Sequence, residues 1–138
     1  MKRILITGST SFLGKKLGEK LLQDDTDLHV TVRDSSKKDR LPNGLSKDRI
    51  HHYKDHFESL AEIIGQIRPS LIYNIASFYA REASPNNLDQ LVESNLLFGL
   101  KLLEAIKISG VKASIVNFGS YNQYYQNGNN FEPLNVYS

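Results

Sequence analysis

The sequence contains no cysteine. That excludes a disulfide framework and any thiolate metal site, and the expected setting is the cytoplasm. Charge of one sign is also lacking: 17 Lys and Arg stand against 15 Asp and Glu, a net charge of +2. So small a bias gives no argument for nucleic acid or an anionic membrane as partner. Long apolar runs are missing, and none approaches the roughly 20 residues of a membrane span. Met1-Lys2-Arg3 leads through a few apolar residues into the polar "TGSTS", which does not fit a signal peptide. There is no internal repeat and no low-complexity tract. What is present is 40% hydrophobic and 23% charged residues over 138 positions, the make-up of one soluble globular domain with a real core.

Along the chain, strand and helix patterns alternate. "RILITG" (Arg3–Gly8) is a short β-branched run closed by glycine and reads as a buried strand. From Phe12 to Gln23, Leu13, Leu17 and Leu21 recur every four positions and predict a helix with one buried face. "LHVTV" (Leu28–Val32) is a second strand, and the polar Ser36–Arg49, with Pro42 and Asn43-Gly44, is a surface connection. Arg49–Tyr53 predicts an edge-like third strand; Leu60, Ile63, Ile64 and Ile67 predict a helix ending before Pro69. Ser70–Ala76 is a fourth strand. Leu88, Val92, Leu96, Gly99, Leu103 and Ile106 mark one face of a long helix that Gly110 ends. Ala113–Ser120 is the fifth strand, and the polar, aromatic remainder is expected to be loop. Such alternation requires right-handed crossovers, hence a doubly wound α/β domain with a parallel sheet in the order 3-2-1-4-5.

In a sheet of this kind a ligand sits at the carboxyl ends of the strands, and the first strand–helix turn is the usual phosphate site. "TGSTSFLG" has five residues between Gly8 and Gly14. Gly8 permits the tight turn, helix-start N–H groups face an anion, and Gly14 lets the helix approach the sheet. A P-loop needs four residues between its glycines and then Lys-Ser/Thr; here Lys15-Lys16 follows, so that pattern fails. A glycine-rich β–α turn without ligand is the competing reading. His51, His52 and His56 lie near Asp55, but the spacing favours a surface histidine cluster over a metal site. "YNQYYQNGNNF" (Tyr121–Phe131) has no accompanying basic patch, so it reads as a flexible loop rather than a base-stacking surface.

These residues in this order resemble the amino-terminal, cofactor-binding part of the extended short-chain dehydrogenase/reductases, the NAD(P)-dependent epimerase/dehydratase family. The family's "TGxxGxxG" resembles Thr7–Gly14, its "HLAA" resembles "NIAS" (Asn74–Ser77), and Asn95–Gly99 matches its "N-v-x-G" loosely. "VNFGS" resembles its serine-bearing fifth strand, and "PLNVYS" resembles its "P-x-x-x-Y-x-x-x-K". The resemblance implies a Rossmann fold over 1–138, a partial domain without the substrate-binding region and truncated before the catalytic helix. It implies cofactor contacts at Gly8, Thr10, Ser11, Phe12, Leu13, Gly14, Ala76 and Asn95, with Asp55 near the adenine. It further implies Ser120 as the hydroxyl that holds a substrate oxygen and Tyr137 as the acid/base. The lysine that would lower the tyrosine's pKa falls four residues after Tyr137, and the sequence stops at Ser138. Ser11 replaces the middle glycine; its Cβ crowds a pyrophosphate, although its hydroxyl can donate to one.

Cofactor choice is written at the end of the second strand, where an acid binds the ribose diol of NAD and an arginine the 2′-phosphate of NADP. "VTVRDSSKK" puts Arg33 there with Lys37 and Lys38 beyond, which favours NADP over NAD unless Asp34 turns inward. The expected function is that of an NAD(P)-dependent oxidoreductase, epimerase or dehydratase acting on a nucleotide-linked sugar. This chain would be its cofactor-binding fragment, inactive alone and prone to form homo-oligomers through Leu88–Ser109 or the open sheet edge. The alternative is a non-catalytic dinucleotide-binding or interaction module.

Overall fold

Five apolar segments pair side by side and all run in the same direction. In the computed structural model, which describes residues 1–54, 56–80, 84–119, 124–127 and 130–133, β1 (Lys2–Thr7) is the central strand. It pairs in parallel with β2 (Thr26–Val32) on one side and β4 (Leu71–Asn74) on the other. β3 (Ile50–His52) flanks β2, and β5 (Ser114–Asn117) flanks β4, giving the expected order β3-β2-β1-β4-β5. The strand order reverses between β1 and β4, and the Gly8–Gly14 turn sits at that switch.

Alternate residues of the strands feed two cores. Ile4, Ile6, Leu28, Val30 and Val32 face α1 (Phe12–Leu21), whereas Leu5 and Ile72 face α2 (Phe57–Ile67) and α4 (Phe98–Ser109). Leu5, Ile6, Val30, Ile64 and Ile72 are wholly buried, each contributing about 1.5–3 kcal/mol relative to exposure. Helix α2 ends where Arg68 adopts φ 51° immediately before Pro69, as the sequence predicts.

Four departures from expectation have physical causes. Leu13 does not join the buried face of α1; it is 46% exposed, because the close packing there is made by Gly14 and Gly18. The segment joining β2 to β3 is not merely a surface connection. Leu41 and Pro42 are buried, Leu41 in the α1-side core, and a Cβ on Gly18 would lie 2.4 Å from Pro42 Cγ. The long helix is composite: α3 (Leu88–Val92), a π-helical turn over Glu93–Leu97, then α4. Finally, the tail is not all loop, since β6 (Tyr124–Asn127) and β7 (Asn130–Pro133) form an antiparallel hairpin. Gly128 and Asn129 separate them in the sequence, and Gly-Asn is among the dipeptides that favour a two-residue hairpin turn. Among the described residues no helix is long and apolar enough to cross a membrane.

Candidate functional site

The site begins with the turn that follows β1. Gly8 has φ +72°, and a Cβ on it would lie 2.6 Å from the backbone nitrogen of Ala76. A Cβ on Gly14 would lie 2.3 Å from the Gly8 carbonyl oxygen. Both glycines are therefore demanded by the fold itself, which seats the start of α1 on the ends of β1 and β4. Ser11 is the helix N-cap. Its Oγ donates to the Gly8 carbonyl (2.8 Å) and accepts from the Gly14 N–H (3.0 Å). The hydroxyl that sequence reasoning offers to a pyrophosphate is thus already committed as a donor. The cap satisfies one of the orphan donors of the first turn and leaves the Phe12 and Leu13 N–H groups without an intrahelical acceptor.

Polar residues close the ends of the adjacent strands β1, β4 and β5. Thr7, 1% exposed, donates from Oγ1 to Asn74 Oδ1 (2.7 Å) and accepts from the Ala76 N–H (3.3 Å). Asn74 Nδ2 donates onward to Asn117 Oδ1 (2.7 Å). This chain of side chains crosses β1, β4 and β5 in register and fixes the rim of the sheet. The sequence reading missed Thr7, Asn74 and Asn117 as site residues. The signal was available: each is the last residue of an otherwise apolar strand.

Two cavities open along that rim. The smaller, about 180 Å³, is bordered by Gly8, Thr10, Thr31, Arg33, Tyr53 and Glu93. The larger, about 650 Å³, is bordered by Phe12, Leu13, Asn74, Asn95, Asn117 and Phe118. Ser11, Ile75, Ala76, Ser77 and Ser94 line both, so the two form one groove passing over the helix start. Thr31 contributes a buried hydroxyl without a hydrogen-bond partner to the smaller end. Glu93 is held there by Lys101, with Oε1 2.6 Å from Nζ.

Asn95 lines the larger cavity, but both ends of its amide engage protein. Oδ1 accepts from the Phe78 N–H (2.8 Å) and Nδ2 donates to the Phe78 carbonyl (2.9 Å). It clamps the segment after β4 to the π-helical turn. Arg33, at the end of β2, borders the smaller cavity, whereas the neighbouring Asp34 pairs with His52 (3.2 Å) instead of turning inward. Asp55, Ser120 and Tyr137 lie outside the described residues.

The histidines go to separate tasks. His52 meets Asp34, and His56 caps α2 by accepting from the Ser59 N–H (3.2 Å). His51 stacks on His29, a residue the sequence reading did not single out, with Nε2 2.9 Å from His29 Nδ1. Behind His29 lies Asp27 at 3.3 Å, itself paired with Arg49 (3.0 Å) and Arg3 (3.4 Å). Burial pushes both imidazoles below their ordinary range. Arg49 and Arg3 add to the fall at His29 and Asp27 opposes it; at His51 the His29 ring and Arg49 add to it. Among the described residues no three potential metal ligands converge.

A groove crossing a helix start at a strand-order switch suits an elongated, anionic ligand, with basic and hydroxyl groups at one end and an apolar, amide-lined space at the other. Comparison with known proteins identifies the fold and the family. The chain is 29% identical over 125 residues to GDP-mannose 4,6 dehydratase of Drosophila melanogaster, covering 83% of the chain and 32% of that protein. It is 24% identical to CDP-abequose synthase of Yersinia pseudotuberculosis, covering 98% of the chain and 45% of the relative. UDP-glucose 4-epimerase of Thermus thermophilus, solved in complex with NAD, shares the fold with a TM-score of 0.76 at 24% identity, over 98% of this chain and 46% of that one. The chain thus spans 32–46% of the length of these proteins. The model of the NAD dependent epimerase/dehydratase family matches residues 4–138. With that match running through the glycine turn, the strand switch and the groove, the chain belongs to the NAD dependent epimerase/dehydratase family.

Proposed function

We propose that this chain is the dinucleotide-binding part of a cytoplasmic enzyme that oxidises, epimerises or dehydrates a nucleotide-linked sugar. The observation that carries the reading is the groove over the start of α1, with Arg33 at one end and the Asn74–Asn117 amides at the other. The residues fit a dinucleotide: N–H groups of Phe12 and Leu13 suit a pyrophosphate, and Arg33 and the unpartnered Thr31 hydroxyl suit a ribose or its phosphate. The nucleotide-sugar names of the relatives support the substrate class.

Bound there, the dinucleotide would take up or give back a hydride. Arg33 would pair with a 2′-phosphate, which favours NADP. Ser120 would hold the sugar oxygen, and Tyr137 would move its proton, a task that needs a nearby cation to lower the phenol's pKa. On its own the 138-residue chain is expected to bind the dinucleotide without turning over a sugar, and to associate with itself.

Titration of NADPH and NADH against the chain and its Arg33→Ala variant tests the reading. NADPH should bind more tightly, and Arg33→Ala should cost it about 1.5–3 kcal/mol, the worth of a charge-assisted contact. Equal affinities in the unsubstituted chain would remove the argument for NADP. A longer form extending beyond Ser138 should act on a nucleotide-sugar and lose that activity on Tyr137→Phe. Binding without turnover in that longer form would favour a non-catalytic module.

A further inference from the structure

The end of β2 carries two adjacent residues of opposite charge, and only one of them borders the groove. Arg33 lines the smaller cavity. The Asp34 side chain is 87% exposed, and its Oδ1 lies 3.2 Å from Nδ1 of His52 on the neighbouring strand. The backbone around them is pinned on both sides. Val32 is in register with His52, the Tyr53 N–H donates to the Val32 carbonyl (3.1 Å), and the Arg33 N–H donates to Ser36 Oγ (3.0 Å). The Ser36 N–H returns to the Arg33 carbonyl (2.9 Å), closing the turn. With the main chain fixed, the remaining freedom at Asp34 is its side chain.

We propose that His52 is a positioning residue for cofactor specificity: by drawing Asp34 to the β3 side, it leaves Arg33 as the charged group that β2 presents to the groove. This rests on the dinucleotide reading above. A carboxylate turned into the groove at this place would accept from the two ribose hydroxyls of NAD and repel a 2′-phosphate, opposing Arg33. Held by His52, it does neither. The hold is that of an exposed pair, His52 being 40% exposed in its side chain. It therefore tunes selectivity without creating it.

The test is a double-mutant cycle read in binding. Dissociation constants for NADPH and NADH are measured for the 138-residue chain, His52→Ala, Asp34→Ala and the double variant, with melting temperatures recorded for each. His52→Ala should lower the preference for NADPH about two- to fivefold, the range of an exposed side-chain pair. The same change made in the Asp34→Ala background should leave the preference unaltered, because His52 acts only through Asp34. His52→Gln, which keeps a donor, should recover part of the loss. An unchanged preference in His52→Ala, or a loss that persists without Asp34, overturns the proposal while dinucleotide binding stands. Failure of the unsubstituted chain to bind either dinucleotide overturns that reading, and this proposal with it.

Discussion

Gly8 shows how much one residue decides. Its φ of +72° lies in the left-handed region, and the backbone at Ala76, just after β4, passes within 2.6 Å of where a Cβ would stand. Gly8→Ala should therefore lose more than the 1–2 kcal/mol of a left-handed residue alone, because the blocking atoms are backbone. Gly44→Ala is the control: φ is +85° but nothing lies within 4 Å, so urea denaturation should register only that backbone cost, about 1–2 kcal/mol. The importance of Gly8 was legible in the sequence because turn chemistry is local. The pairing of His29 with His51 was not, since 22 positions separate them and a histidine on a strand announces no partner. That pair carries a pH dependence with a definite sign. Both folded-state values lie below the ordinary 6.5, so the unfolded chain binds more protons as the pH falls. The contribution is present above pH 6.5 and is lost progressively below it. Replacing both rings, as in His29→Leu with His51→Phe, should flatten the fall in urea midpoint between neutral and mildly acidic pH. A fall as steep as in the unsubstituted chain would show that other groups carry it.

At the level of elements, all five strands were read in their places, because a short apolar run is a strong local signal, but β2 starts at Thr26 rather than Leu28, and β4 and β5 end at Asn74 and Asn117, earlier than expected. The helix from Leu88 to Ser109 was read as one piece, and its π-helical turn over Glu93–Leu97 was invisible to a period count. One extra residue in a turn shifts a helical face without breaking the run of leucines. The turn has a structural use: it carries Asn95, whose amide grips both polar atoms of the Phe78 peptide. Asn95→Ala would leave a part-buried N–H and C=O without those partners, at about 1–3 kcal/mol for each group left unsatisfied. The expected outcome is a lower urea midpoint, with faster amide exchange at Phe78 than at the core strands. Asn95→Asp separates the two bonds, since a carboxylate still accepts from the Phe78 N–H but can no longer donate to its carbonyl. Exchange at Phe78 as slow as in the unsubstituted chain would show that the clamp is not what orders this segment. The β6–β7 hairpin escaped for a different reason: Tyr-Tyr-Gln-Asn and Asn-Phe-Glu-Pro have no apolar alternation, and read as loop until the Gly128-Asn129 turn signal between them is weighed.

For the molecule as a whole, the unbalanced feature is the β5 side of the sheet. Parallel strands are normally covered on both faces, yet all four residues of β5 are exposed, Ile115 and Val116 among them. The neighbouring helices show Leu96, Leu100 and Leu103, each more than half exposed, toward the same larger cavity. An apolar surface this continuous, next to a strand edge that no other strand pairs among the described residues, favours association. Expectation from the sequence named two routes, the helix from Leu88 to Ser109 and the open edge, and the exposed side chains sit on both. Sedimentation velocity over a range of concentrations should show the chain associating reversibly. Leu100→Glu with Leu103→Glu should shift it toward monomer if the helix carries the contact. Ile115→Lys should do so if the strand edge carries it, because a charge there opposes pairing with another strand. All three residues line the larger end of the groove, so far-UV circular dichroism and the urea midpoint of the monomeric variants, not NADPH affinity, separate loss of association from loss of fold. A chain that stays monomeric at every concentration would show that these faces are stable in water, and the association argument would fail with it.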